Sequence, residues 1–185
     1  AAGGAAKDGD RIRIGHWGGA TSIYNMSGGS ITQPDTVANP TDEAQANLFL
    51  GIDGTGVLNH SGGTINTTSM VVDGRGDTAG DDIYAMTGGR LNMGKWGIRS
   101  GNAGVSKQIQ LGGGIVGASA DWVSGMTMTL TGTNGDVTFN TLDSVDSTTP
   151  RNITLTGVLS GSGGLVKTGA GILTLNNAAN TFTGT

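Results

Sequence analysis

No cysteine occurs in the 185 residues, so no disulfide framework holds the chain together. The same absence suits a polypeptide exported unfolded, in which premature disulfides would obstruct passage. No stretch approaches the roughly 18 consecutive apolar residues of a membrane-crossing helix, so membrane insertion by this segment is not expected. No charged-then-apolar leader opens the chain, and any signal peptide is expected to be missing or removed. Charged residues make up 13% and leave a net charge of −4, with no basic patch and no interleaved aromatics, so nucleic acid is not expected as a partner. Aromatics are only 4%, too few for an ordinary globular core of this length, but a stacked repeat needs few because each layer buries a handful of aliphatic side chains on its neighbours.

Glycine, by contrast, is abundant, 36 of 185 residues, and it is patterned. YNMSGGSIT begins at Tyr24, LNHSGGTIN at Leu58, YAMTGGRLN at Tyr84 and, more loosely, IQLGGGIVG at Ile109. Aligned on the glycine pairs, Tyr24, Leu58, Tyr84 and Ile109 share one column. Met26, His60, Met86 and Leu111 share another, and Ile31, Ile65, Leu91 and Val116 a third. Apolar alternation of period 2, broken and resumed, reads as strand, turn, strand. Upstream of each pair lies a further apolar strand, with Ile14, Leu50, Val72 and Ile98 as column partners. Three short strands in about 25 residues predict an all-β chain, a right-handed parallel β-helix (solenoid) turning at Gly-Gly corners. The segment from Thr32 to Asn47, with Pro34 and Pro40, reads as a projecting loop. His60, in the Met26 column, is expected to point inward, and Asn66 and Asn92 to stack as an amide ladder.

Beyond Trp122 the strands continue as MTMTLTG, VTF and ITLTG. Residues 1–160 are read as Gly-Gly repeats and 161–185 as a different repeat continuing the same solenoid. That last stretch, GSGGLVKTGAGILTLNNAANTFTGT, resembles the autotransporter-associated β-strand repeat. The matching positions are Gly163, Gly164, Leu165, Lys167, Gly169, Gly171, Leu173, Leu175, Asn180, Thr181, Phe182, Thr183 and Gly184. The resemblance implies a β-helical passenger region on an outer bacterial surface, extracellular or cell-surface in location. The translocator barrel that completes an autotransporter is not within these residues, so a fragment, a processed unit or another export route is expected.

Candidate sites are few. DGRGDTAGDD, from Asp73 to Asp82, holds four carboxylates, and a loop of hard oxygen donors is what Ca²⁺ requires: Asp73, Asp77, Asp81 and Asp82 are the candidate metal ligands. The plainer reading is a solvated turn, since Asp and Gly favour turns and the spacing matches neither an EF-hand nor the nonapeptide calcium repeat. Arg75, Gly76 and Asp77 spell an Arg-Gly-Asp adhesion tripeptide, which works only at an exposed loop tip. No catalytic residue is assigned. Polysaccharide-cleaving β-helices need clustered acids and bases on one face, and here no basic partners recur beside Asp81 and Asp82. The expectation is a structural, surface-exposed segment: a stalk, adhesin scaffold or filament unit, and not an enzyme. Its expected partners are a second copy end to end, or a host or neighbouring cell surface or glycan. The alternative is a carbohydrate-binding or polysaccharide-degrading protein.

Overall fold

The computed structural model of the protein describes residues 11–16, 18–33, 48–72, 81–101 and 106–184. Among them are fifteen strands and no helix. The first six, which include the longest, are β1 (Ile12–Ile14), β2 (Thr21–Thr32), β3 (Leu48–Leu50), β4 (Thr55–Val72), β5 (Asp82–Met86) and β6 (Arg90–Ser100). The others, none longer than seven residues, are β7 (Lys107–Leu111), β8 (Ile115–Ala118), β9 (Trp122–Ser124), β10 (Met128–Leu130), β11 (Val137–Asp143), β12 (Ile153–Leu155), β13 (Leu159–Ser160), β14 (Leu165–Thr168) and β15 (Leu173–Leu175).

The all-β class and the parallel pairing agree with the sequence, but the right-handed β-helix of repeating 25-residue coils does not. The backbone curls one parallel sheet whose path runs β13-β10-β7-β5-β4-β6-β8-β11-β14, an open half-barrel with β1, β2 and β3 attached beside β4. A separate sheet holds β15, β12 and β9. Two physical reasons overturn the coil. First, the glycine pairs at 28 and 62 are not corners, because β2 (12 residues) and β4 (18 residues) run straight through them. There the ladder only slips, between Met26 and Ser30, and Gly63 takes a φ of +86° with its missing Cβ position 2.6 Å from the Gly29 carbonyl oxygen. A glycine bulge bends a strand without ending it. Second, the spacing between partners is not constant: Val57 pairs with Ile83, but Ile109 with Met128 and Met128 with Leu159.

Register nevertheless follows the apolar columns. Tyr24 pairs with Leu58, Leu58 with Tyr84, and Tyr84 with Ile109. Ile31, Ile65, Leu91 and Val116 align in the same way. A one-residue slip would turn Leu58, Tyr84, Ile109, Ile65, Leu91 and Val116 out of the core, so burial fixes the pairing there, whereas Tyr24 at the head of its column is exposed. One column departs from the expectation: Ile14, Leu50 and Val72 pair in turn, but Ile98 pairs with Met70, and Val72 faces Ser100. The slip is by two residues, which keeps Ile98 on the inner face. The core these columns build is continuous, from Ile14 through Leu58, Tyr84, Leu91 and Phe139 to Leu159. β14 and β15 pair with β11 and β12, so strands on both sides of residue 160 share sheets.

Candidate functional site

Of the four proposed calcium ligands, Asp73 and Asp77 lie outside the described residues, as do Arg75 and Gly76 of the tripeptide. The other two do not converge. Asp82 stands two and four residues before Tyr84 and Met86, and strand alternation puts all three on the inner face. Its carboxylate is buried (1% exposed) and accepts a hydrogen bond from the Gly56 amide at 2.7 Å. Asp81, one residue earlier, is exposed and accepts from the Gln108 side chain at 2.9 Å. Among the described residues, no three His, Cys, Asp or Glu side chains are grouped to hold a metal ion. The alternation leading to Tyr84 was the signal that Asp82 is an internal group; the neighbouring Asp and Gly residues concealed it by resembling a turn.

His60 does point inward. It is 1% exposed, its Nδ1 lies 3.0 Å from the Tyr84 hydroxyl, and its Nε2 lies 3.3 Å from the Gly63 carbonyl oxygen. A carbonyl can only accept, so Nε2 carries the proton and Nδ1 accepts from Tyr84. Burial lowers the His60 pKa below its ordinary 6.5, and the Gly63 bond opposes that shift only in part. Burial likewise pushes the Tyr84 phenol well above the usual range. Both rings are therefore neutral near pH 7, a packed pair rather than an acid and a base. The consequence for stability has a definite sign. The unfolded chain takes up a proton near pH 6.5 that the folded chain resists. The contribution of His60 is therefore complete above that pH and is lost as pH falls towards the lower folded value. Urea melts at pH 7.5 and 5.5 are expected to give a lower midpoint at pH 5.5, and His60→Phe is expected to flatten the difference. An unchanged slope in that variant would assign the effect elsewhere.

The remaining polar side chains join one strand to the next. Asn92 donates to Asn66 at 2.7 Å and Asn66 to Thr32 at 3.1 Å, which makes the expected amide ladder, and Asn59 donates to Asn25 at 2.8 Å on the outer face. At the starts of short strands, Asp and Asn side chains receive backbone amides of a neighbouring layer: Asn152 on Asp121, Ile172 on Asn152, Leu159 on Asn180 and Gly164 on Asp136. Such bonds satisfy donors that a short strand leaves unpaired. Sequence reading missed one further cluster, the turn from Asp143 to Arg151. The Arg151 guanidinium grips buried Asp143, with Nε at 2.7 Å. Asp146 accepts from the Thr149 hydroxyl at 2.6 Å and from the amides of Thr149 and Thr148, each at 2.8 Å, and these bonds hold its carboxyl well below the ordinary range. The Asp-x-x-Asp-x-x-Thr spacing before Pro150 was the available signal.

No family model, no curated protein and no solved structure matches this chain.

Proposed function

We propose that the chain is a structural segment of a secreted bacterial surface protein, one that extends or displays and does not catalyse. The supporting observation is where its polar groups go. Asp82, Asp121, Asp136, Asn66, Asn92 and Asn152 bond across neighbouring layers, so the side chains that an enzyme would aim at a substrate are used as internal fastening. The resemblance of residues 161–185 to the autotransporter-associated repeat points the same way.

Antibody labelling and protease shaving of intact source cells test the location. Labelling and release of the segment are expected, and a segment found only after lysis would end the surface reading. Incubation with candidate glycans tests the alternative, since release of soluble sugar would make the protein an enzyme. Calcium is tested separately. With Asp82 turned inward and bonded to Gly56, EDTA is expected to leave the melting temperature unchanged. A drop of several degrees that Ca²⁺ reverses would instead build a site on the 73–82 segment.

A further inference from the structure

We propose that Asn134–Gly135 is a site of spontaneous deamidation, and that the reaction releases a clamp joining three layers of the sheet at one turn. Asn-Gly occurs once in the chain, at these two residues. Both are exposed on the turn between β10 and β11, so water reaches them. A following glycine leaves the carboxamide open to attack, because no Cβ shields the next backbone nitrogen. The Gly135 nitrogen attacks Cγ of Asn134 and gives up its proton to water. The Cγ–Nδ2 bond breaks, ammonia leaves, and a succinimide ring remains. Water then opens either C–N bond of the ring, which leaves aspartate or isoaspartate.

The fold places this pair where the change matters. β5, β7 and β10 are successive layers, with Met86, Leu111 and Leu130 in register. The turn after β10 reaches back over both of the others. The Asn134 amide donates to the Gly112 carbonyl at 2.9 Å, one layer away, and its Nδ2 donates to the Thr87 carbonyl at 3.0 Å, two layers away. Gly113 lies between these layers: a Cβ there would stand 3.0 Å from the Asn134 carbonyl oxygen and 3.3 Å from that of Thr87. The same bonds slow the reaction. Nδ2 must leave Thr87, and the Gly135 amide must leave the Gly132 carbonyl, to which it donates at 3.2 Å. Afterwards the clamp cannot re-form. An aspartate carboxylate has no proton for Thr87 and faces its carbonyl as a second acceptor. Isoaspartate also lengthens the backbone by one methylene.

Incubation of the full chain at mildly alkaline pH, followed by mass spectrometry and peptide mapping, tests this. The folded chain is expected to deamidate first at Asn134, and about tenfold more slowly than the free peptide TGTNGDV, the effect of breaking one or two ordinary hydrogen bonds beforehand. Urea below the unfolding midpoint should raise its rate. Asn134→Asp makes the product directly and should lower the urea midpoint more than Asn134→Ala, because it adds repulsion at Thr87. The excess should vanish in acid, where the protonated carboxyl donates instead. Equal rates in chain and peptide, first modification at another asparagine, or an Asn134→Asp chain as stable as the wild type would each overturn the proposal.

Discussion

Gly51→Ala is expected to destabilise the chain by on the order of 4 kcal/mol, from backbone strain and overpacking together. Gly51 follows β3 and has a φ of +67°, a conformation that costs an L residue about 1–2 kcal/mol. A Cβ there would lie 1.8–2.0 Å from the carboxylate atoms of buried Asp82. The carboxylate would have to move, and its movement would release the Gly56 amide, an unsatisfied buried donor worth about 1–3 kcal/mol. Gly51 itself donates to the Ile14 carbonyl at 2.7 Å, so its backbone is not free to yield. Urea denaturation gives the loss, and a double-mutant cycle gives its cause. Combined with Asp82→Ala, the substitution should cost clearly less than the sum of the two single changes, because one variant removes the atoms that clash with the other. Strict additivity would show that Gly51 and Asp82 act independently.

Phe139→Ala should cost about 3–5 kcal/mol, the range for emptying a fully buried aromatic site. Phe139 is 0% exposed and its strand lies between β8 and β14, where Val116 and Lys167 are its register partners. Neither neighbour fills the space easily: Val116 is short, and Lys167 carries a charge that resists moving inward. Phe139→Leu keeps most of the volume and should cost less than about 1.5 kcal/mol. As a control, Val145→Ala at the exposed turn between Asp143 and Arg151 should stay within about 0.5 kcal/mol. A loss below about 1 kcal/mol at Phe139 would mean that β11 and β14 open independently of the rest of the sheet.

What these two positions share is that neither effect could be sized from its own segment of sequence. Gly51 looks like one of many turn glycines, and its importance comes from a carboxylate contributed by β5. Phe139 reads as a strand residue, but its place as the last fully covered member of a column depends on β14. Asp81 and Asp82, two of the four candidate calcium ligands, do not face each other for a related reason. Adjacent acids look like a cluster along the chain, yet alternation sends them to opposite faces.

The sequence by itself determined the all-β class, the inner columns from Leu58 to Ile109 and from Ile65 to Val116, the burial of His60 and the Asn66–Asn92 ladder. These depend on side-chain alternation, which burial enforces residue by residue. Only the tertiary structure decided how those strands curve. Whether a glycine pair ends a strand or merely bends it depends on backbone contacts with a neighbour far along the chain, as between Gly63 and the Gly29 carbonyl. β4 runs unbroken for 18 residues through its glycine pair, and the sheet curls into a half-barrel where a local reading gives corners and coils.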